Sequence, residues 1–424
     1  MKKILFLIIL IMAGYFGYKY YFKEKAPEFI KPKFVYEDIL ASTKEEIVDV
    51  DTFTIYGKYL NIKGTCPTID ENYTLVFKNN DEEIEVKTEI ENNHFTTNKY
   101  INDGINLEKL KVGDYIILLK DTVNNTYYNL ANKTEYHDNT YYTMTRNNKN
   151  NVITFPELTH DNKNYWTINI KETKLPDDVY DIVIDPGHGG VDTGAGNGKY
   201  HESKFTLDYA KSLYDALTEE GLKVKLTRES DVKIDHYGVG SRTGIPYEVK
   251  AKLMLSIHLN SSNSSKEHGV EIYKAYYDNN DYAKLIADNI VSETNTNYSV
   301  NTMNKVIDGV YMRKYSKADI ASLIKDAKRD GYEPYNFTDD LTYYYFIRET
   351  GGIMTKAFSD GRNPKYKANP YRNLNQGVEA YLCELAYISS STDLKNVLNK
   401  KDSYIKALKN SVLNYAEIEK TAQE

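Results

Sequence analysis

A chain of 424 residues is longer than one typical domain, so its length predicts at least two folded units. Hydrophobic residues make up 41% and charged residues 27% of the chain, as is usual for globular proteins. The formal net charge of −7, from 54 basic and 61 acidic residues, gives no sign of a basic surface, and we therefore expect no nucleic-acid partner.

The chain begins with an apolar segment that predicts export. Lys2 and Lys3 precede an apolar run at 4–17, and aromatic residues dominate positions 18–22. Counted through these aromatic residues, the segment has about 19 residues, close to the ~20 that span a bilayer. Because no small-x-small cleavage site follows, we favour a retained transmembrane anchor at 1–22, with secretion as the alternative if the segment is cleaved.

Short segments that alternate apolar and polar residues follow a linker at 23–34. Their alternation, and the Asn, Asp and Gly clusters between them, predict strands. Many short strands that each bury one face predict an all-β, sandwich-like domain over 35–173. The predicted strands lie at 52–60, 73–78, 83–87, 113–120 and 165–170.

From residue 174 the pattern changes to strands that alternate with helices. This alternation predicts an α/β domain over 174–420, with a largely parallel sheet covered by helices. In its first helix four apolar residues between Leu207 and Leu217 share one face, and Gly221 suits a C-terminal cap. Strands are predicted at 179–185, 222–227, 253–258, 269–277 and 380–388, and helices at 203–220, 281–293 and from about 392.

Polar residues follow or interrupt these apolar strands. His188 comes just after the first strand of the α/β region, and His258 ends a later one. Since the carboxyl ends of parallel strands meet at one edge of a sheet, we expect both imidazoles there. Glu202 begins the helix after the first strand and is expected to point to the same edge. Glu384 lies inside an otherwise apolar strand, where an unpaired charge is costly.

These residue types together predict a hydrolytic zinc site. Two imidazoles and one carboxylate are a common catalytic zinc set that leaves a fourth position for water or substrate. Glu384 would then take a proton from water and pass it to the leaving group.

Each candidate also has a purely structural explanation. A histidine at a strand end can be an ordinary turn residue, Glu202 can favour a helix N-terminus, and Glu384 can pair with a basic side chain. Asp185 either orients His188 or caps its strand. Arg228 and Arg348 either support the fold or bind a substrate carboxylate. The joint occurrence of all four site candidates favours the catalytic interpretation.

The motifs around the four candidates are specific as a set. They comprise IVIDPGHGGVDTGA at 182–195, HE at 201–202, LTR at 226–228, SIHLN at 256–260, GVEIY at 269–273 and ELAYIS at 384–389. From about Asp181 to Tyr415 the chain resembles the zinc-dependent N-acetylmuramoyl-L-alanine amidases, which include cell-wall autolysins and sporulation amidases. The resemblance implies that His188, Glu202 and His258 bind Zn2+ and that Glu384 is the catalytic carboxylate. It also implies cleavage of peptidoglycan between the lactyl group of N-acetylmuramic acid and the L-alanine of the stem peptide, outside the cytoplasm.

The chain departs from the family pattern in a long insertion at about 315–375. Long structured insertions beside an active site often serve as lids or partner surfaces, and the aromatic cluster at 343–346 is a candidate contact for glycan or a regulator. A regulatory protein at this insertion or at the β-domain is therefore a further expectation. The alternative function is a noncatalytic wall-binding or morphogenetic scaffold with a structural zinc site.

Overall fold

The computed structural model describes residues 37–68, 72–132, 140–236, 238–264, 266–329, 344–357, 371 and 374–417. The predicted anchor at 1–22 and the linker at 23–34 lie outside these ranges. Among the helices of the described residues, none combines the length and apolar character that a bilayer crossing requires. The described chain divides into two units after Ala41: helix α1 (Glu37–Ala41) belongs to the first, and the described residues from 42 onward form the second.

The first half of the larger unit consists mainly of short strands. They are β1 (Thr43–Tyr56), β2 (Tyr59–Thr65), β3 (Tyr73–Lys78), β4 (Glu83–Val86), β5 (Glu89–Glu91), β6 (His94–Thr96), β7 (Ile105–Asn106), β8 (Gly113–Asp121), β9 (Thr126–Asn132), β10 (Thr140–Tyr142), β11 (Asn150–Thr154), β12 (Glu157–His160) and β13 (Lys163–Thr173), with a 3-10 turn at Leu107–Lys109. Hydrogen-bonded pairs connect them in the order β10-β11-β13-β8-β9-β1-β2-β6-β5, with β3 beside β8. Their sandwich-like packing stays a prediction.

The strand predicted at 52–60 is in fact a hairpin. Tyr56 of β1 pairs with Tyr59 of β2, and Gly57 adopts a φ of +57° in the turn between them. Periodicity alone does not reveal this reversal, because the apolar alternation continues on both sides of the turn.

The second half forms a mixed α/β sheet. Its strands are β14 (Ile182–Pro186), β17 (Val224–Leu226), β18 (Leu253–Asn260), β19 (Glu271–Tyr273), β20 (Lys305–Ile307), β21 (Val310–Tyr311) and β23 (Glu379–Tyr387), and a small hairpin joins β15 (Gly196–Asn197) to β16 (Tyr200–His201). The strand order is β17-β14-β18-β23-β19-β21-β20. The first four strands are parallel, whereas β19 runs antiparallel to β23. The prediction of a sheet with mainly parallel strands in an α/β domain is therefore confirmed for its central part.

Helices cover both faces of this sheet. They are α2 (Glu202–Glu219), α3 (Ile245–Glu248), α4 (Asp281–Thr294), α5 (Lys317–Arg329), α6 (Tyr345–Gly351), α7 (Ser391–Asn399) and α8 (Lys401–Tyr415), with a 3-10 turn at Gly352–Thr355. Ile182 and Ile184 of β14 pack in the core formed with α2, α4 and α8, whereas Val183 faces the opposite core with Phe346 and Ile347 of α6. Successive side chains of each strand therefore lie on opposite faces of the sheet, and both faces are buried. This is why the strands are continuous apolar runs in the sequence.

The two halves share hydrogen bonds within the larger unit. Strand β22 (Gln376–Gly377), which comes late in the chain, pairs in parallel with the end of β1. Lys58 Nζ donates to the carbonyl of Tyr415 at 2.8 Å, and Asn102 Nδ2 donates to Glu379 at 3.3 Å. The predicted boundary at 173/174 coincides with the end of β13, but the chain crosses back to the first sheet after it.

Candidate active site

His188 is held in a glycine-rich loop directly after β14. Its backbone has a φ of +59°, a left-handed conformation that is uncommon outside glycine. The guanidinium of Arg242 donates to the His188 carbonyl and to the Pro186 carbonyl, the latter at 2.7 Å, and forms an ion pair with Asp185. Arg242 therefore fixes the backbone from which the imidazole projects.

Two glycines of this loop leave room for the neighbouring functional side chains. A Cβ on Gly187 would overlap the imidazole of His258. A Cβ on Gly194 would lie 2.6 Å from Glu202 Oε2 and 2.7 Å from the His188 ring. The loop can approach the cluster this closely only with glycine at both positions.

Glu202 is the first residue of α2, and its side chain is only 4% exposed. Its carboxylate accepts hydrogen bonds from the backbone N–H groups of Ala195 and Leu259, both at 2.9 Å. The carboxylate therefore contacts the loop after β14 and the end of β18 together, and it fixes the position of both relative to the helix.

The three predicted metal ligands converge on one point. His188 Nε2 lies 3.1 Å from one oxygen of Glu202, and His258 Nδ1 lies 3.0 Å from the other. One ligand atom from each residue can be chosen so that all three lie within 4.8 Å of one another. Two nitrogens and a carboxylate oxygen at this separation fit a divalent transition metal such as zinc, although their role as ligands stays a prediction.

The charges of this cluster stabilise one another in the protein without metal. Burial opposes ionisation of Glu202, but hydrogen bonds from His188 and His258 hold its pKa well below the ordinary value. Despite burial, hydrogen bonds to Asp192 and Glu202 raise the pKa of His188 to about 10. Burial, by contrast, lowers the pKa of His258. The cluster thus attracts positive charge, as a cation site must.

Asp192 is a functional candidate that sequence reasoning missed. Both of its carboxylate oxygens lie 3.0 Å from His188 Nδ1, and one of them accepts the N–H of Gly194 at 3.1 Å. Because Asp192 is the partner of Nδ1, Nε2 is the ring nitrogen that faces Glu202. The signal was present in the sequence as an aspartate four positions after His188 in the same loop.

Asp185, which was considered as the residue that orients His188, has other partners. Its carboxylate accepts hydrogen bonds from Thr227 Oγ1 at 2.5 Å and Ser256 Oγ at 2.7 Å, besides its ion pair with Arg242. The partner of His188 Nδ1 is Asp192, so the alternative in which Asp185 fixes the end of its strand describes the structure.

Glu384 lies beside the cluster on the neighbouring strand. The parallel register pairs Glu384 with His258 across β23 and β18, so both side chains project from the same face of the sheet. Its Oε2 is buried, with no hydrogen-bond partner among the described groups. Burial, and then the negative charges of Glu202 and Glu271, raise the pKa of Glu384 well above its ordinary range.

The neighbouring Glu271 differs from Glu384 in its hydrogen-bond partners. Glu271 pairs with Glu384 across β19 and β23 and is fully buried. Its oxygens accept hydrogen bonds from Asn260 at 2.9 Å, from Ser299 and Tyr273 at 2.7 Å each, and also from Asn301 and Tyr387. Glu271 therefore has its hydrogen-bonding capacity used within the fold, whereas Glu384 keeps an oxygen for another partner.

Other residues considered from sequence lie in structural positions. Arg228 donates to the carbonyls of Pro186, Gly187 and Ser203 at 2.8–2.9 Å, and the fully buried Arg348 donates to the carbonyl of Lys356 at 2.8 Å. His201, which directly precedes Glu202 in the HE motif, is exposed and is not part of the cluster. The structural alternative is thus favoured for both arginines.

Comparison with known proteins shows which family this region resembles. Residues 182–325 match the family model described as N-acetylmuramoyl-L-alanine amidase. The match includes His188, Glu202 and His258 and ends before Glu384.

Two curated relatives align with part of the chain. The germination-specific N-acetylmuramoyl-L-alanine amidase of Bacillus subtilis is 36% identical over 145 residues, which cover 31% of this chain and 60% of the relative. The probable cell wall amidase LytH of Staphylococcus aureus is 40% identical over 114 residues, covering 26% of this chain and 36% of the relative. The chain thus spans less than two thirds of the length of either relative.

Among solved structures, the catalytic domain of CwlV, an N-acetylmuramoyl-L-alanine amidase from Bacillus (Paenibacillus) polymyxa, aligns with a TM-score of 0.38 and 18% identity. The alignment covers 57% of this chain and all of that domain.

Proposed function

We propose that the protein is a zinc-dependent N-acetylmuramoyl-L-alanine amidase that cleaves peptidoglycan between the lactyl group of N-acetylmuramic acid and the L-alanine of the stem peptide. The observation that carries this proposal is the convergence of His188, Glu202 and His258 beside Glu384, inside a domain of the amidase family. The names of the two curated relatives support the same substrate class.

In this proposal His188 and His258 bind zinc through imidazole nitrogens and Glu202 through a carboxylate oxygen. Bound zinc would supply Lewis acidity, which polarises the scissile carbonyl and makes water a better nucleophile. Asp192 holds the Nδ1 side of His188, so that Nε2 stays directed at the cluster. Arg242 and Arg228 hold the carbonyls of the loop in place.

Glu384 is the proposed general base and then general acid. Its buried Oε2 has no partner among the described groups and is therefore available to accept a proton from the attacking water. The same oxygen would deliver that proton to the nitrogen of L-alanine as the amide bond breaks, so that the amine leaves as a neutral group. A carboxyl whose pKa is raised by burial is suited to this double role.

The location and the accessory regions complete the proposal. We infer an extracytoplasmic protein tethered to the cytoplasmic membrane by residues 1–22, with a sandwich-like β-domain at 35–173 between the anchor and the amidase domain. The insertion at 315–375 contributes α6 and Tyr344 to the sheet face that carries Glu384, which supports a role for this insertion in substrate access or in contact with a regulatory protein.

The test uses the full-length protein and a Glu384→Gln variant of nearly equal volume. Both proteins are expected to retain one zinc ion per chain, measured by elemental analysis. The wild type is expected to release stem peptides with a free L-alanine amino group from muropeptides, measured by mass spectrometry. The variant should release them roughly 10²–10⁴-fold more slowly.

Two outcomes would contradict this assignment. Normal turnover by Glu384→Gln would remove Glu384 from the chemistry. Zinc binding without any released peptide from the wild type would favour the noncatalytic scaffold, and cleavage at a bond within the stem would show a peptidase instead.

A further inference from the structure

Arg313 follows β21 and stands on the sheet face that carries Glu384. Its side chain is partly buried, and its guanidinium carbon lies 5.0 Å from the ring centroid of Tyr315 and 5.9 Å from that of Tyr344. The Arg313 carbonyl accepts the N–H of Tyr344 at 3.1 Å. The two aromatic faces, together with the backbone bond, hold the planar guanidinium in place on this sheet face.

The hydrogen-bond donors of this guanidinium are unused within the described part of the chain. No described carboxylate lies within ion-pair distance of Arg313, and no described acceptor binds its side-chain nitrogens. Asp319 on the nearby helix instead accepts hydrogen bonds from the N–H and hydroxyl of Ser316, at 2.8 and 2.7 Å. By contrast, Arg228 and Arg242 use their donors on backbone carbonyls of the loop.

The position of Arg313 relates it to the proposed catalytic residue. Tyr311, two residues before Arg313, pairs with Tyr273 of β19, and Glu271 of β19 pairs with Glu384 of β23, so Arg313 follows a strand on the sheet face that carries Glu384. Tyr344, which contacts Arg313, also lies against Tyr273, with 5.8 Å between the ring centroids. A guanidinium whose donors are not used by the described groups can bind an anion of the substrate through charge-assisted hydrogen bonds.

The chemistry of the proposed substrate limits which anion this is. The carboxyl of the lactyl group is consumed in the scissile amide, and the carboxyl of L-alanine is consumed in the next amide. The nearest free carboxylate on the peptide side is therefore the α-carboxylate of the second stem residue, when that residue is a γ-linked glutamate and is not amidated.

We propose that Arg313 is a specificity-determining residue that binds this second-residue carboxylate. The inference rests on the proposed amidase function and deepens it by naming the substrate group. It predicts that the protein prefers muropeptides with a free α-carboxylate at position two over those in which this group is an amide, because an amide offers no charge to the guanidinium.

The test compares two synthetic substrates, N-acetylmuramoyl-L-alanyl-γ-D-glutamyl-L-lysine and its form in which the glutamate α-carboxylate is an amide, with the full-length protein. We expect the wild type to have a kcat/KM roughly 10- to 100-fold higher for the carboxylate, as for a hydrogen-bonded charge pair. Arg313→Gln should bring this ratio close to one by slowing the carboxylate substrate, mainly through KM, and Arg313→Lys should keep part of the preference.

Arg329→Gln is the matched control, since it removes the same group from an exposed ion pair with Asp326. It should keep the wild-type ratio, and thermal unfolding of all variants checks that they are folded. If Arg313→Gln does not fold, the dissociation constants of the two substrates are measured with the Glu384→Gln variant instead. We expect the substrate with the free carboxylate to bind more tightly than its amide.

The outcomes separate this inference from the function on which it rests. Equal rates of the wild type on both substrates, or an equal loss on both in Arg313→Gln, would overturn the role of Arg313 while leaving the amidase proposal intact. Hydrolysis of neither substrate by the wild type would instead contradict the proposed function, and with it this inference.

Discussion

At the scale of single residues, the orientation of His188 depends on Asp192. The carboxylate holds Nδ1 at 3.0 Å, and the opposite ring nitrogen faces Glu202 at 3.1 Å. A free imidazole could rotate or change tautomer, and both changes would cost free energy when a metal binds. Partners of this kind typically account for a 10- to 100-fold difference in metal affinity.

We therefore predict that Asp192→Ala lowers zinc affinity about 10- to 100-fold, measured by competition with a chelator of known affinity. Asp231→Ala is the control, because Asp231 accepts the N–H of Gly190 at 3.1 Å in the same loop without contacting the histidine. An unchanged affinity in Asp192→Ala, or an equal loss in both variants, would contradict the role given to Asp192.

At the scale of elements, the loop between β14 and α2 determines how closely the histidines and Glu202 approach one another. Gly194 and Gly198 provide a matched pair in this region, with φ values of +64° and +61°. A Cβ at Gly194 would meet Glu202 and His188, whereas a Cβ at Gly198 would have nothing within 4 Å. The backbone strain of an alanine should thus be similar at both positions.

Gly194→Ala is predicted to lose both zinc binding and activity, because its Cβ displaces the carboxylate or the imidazole. Gly198→Ala should keep both and lose only about 1 kcal/mol of unfolding free energy from its left-handed backbone. Zinc titration and urea unfolding of the two variants distinguish these effects. Equal zinc binding in the two variants would show that the close contact at Gly194 has no functional importance.

The elements of the α/β half were largely predictable from the sequence, since its strands are long apolar runs and α2 has a clear apolar face. Helix α2 was expected at 203–220 and occurs at Glu202–Glu219, and Gly221 adopts the left-handed conformation expected of a C-terminal cap. The short hairpin at Gly57 was not predictable, because its turn does not interrupt the apolar pattern. The C-terminal helix expected from about 392 is two helices, α7 and α8.

The sequence predicted which residues form the site. It predicted neither the strand register that aligns them nor the residues that hold them in place. The motifs identified the residues that converge in space, but the pairing of His258 with Glu384 depends on strand order, which one sequence does not encode locally. That Asp192, and not Asp185, contacts His188 depends on the path of a loop with left-handed residues. Whether the hydrogen-bond donors of Arg313 are used depends on which carboxylates lie near it. Only the three-dimensional structure shows those neighbours.

At the scale of the whole molecule, the β-rich half supports the α/β half through buried polar contacts. Asn102 and Lys58 donate to Glu379 and to the carbonyl of Tyr415, and β22 pairs with β1. Glu379 is fully buried, so the loss of a donor would leave part of its carboxylate unsatisfied. The two halves are thus coupled in stability, although the predicted zinc ligands all lie in the second half.

A protein that starts at Lys174 is predicted to be less stable by at least about 3 kcal/mol, and to melt at least roughly 6–12 °C lower. The reason is that it loses the hydrogen bonds that Tyr56, Lys58, Asn102 and the end of β1 make to the second half. The control is the intact protein cut by a protease at an engineered site after Thr173, in which both pieces remain together. An unchanged melting temperature of the shorter protein would contradict this coupling.

The most direct test of the central claim is zinc-edge anomalous diffraction from crystals of the zinc-loaded full-length protein. We predict one anomalous peak about 2.0–2.2 Å from His188 Nε2, His258 Nδ1 and an oxygen of Glu202, with Glu384 beside the open coordination position. A peak bound by other residues, or no zinc at these three side chains, would contradict the account.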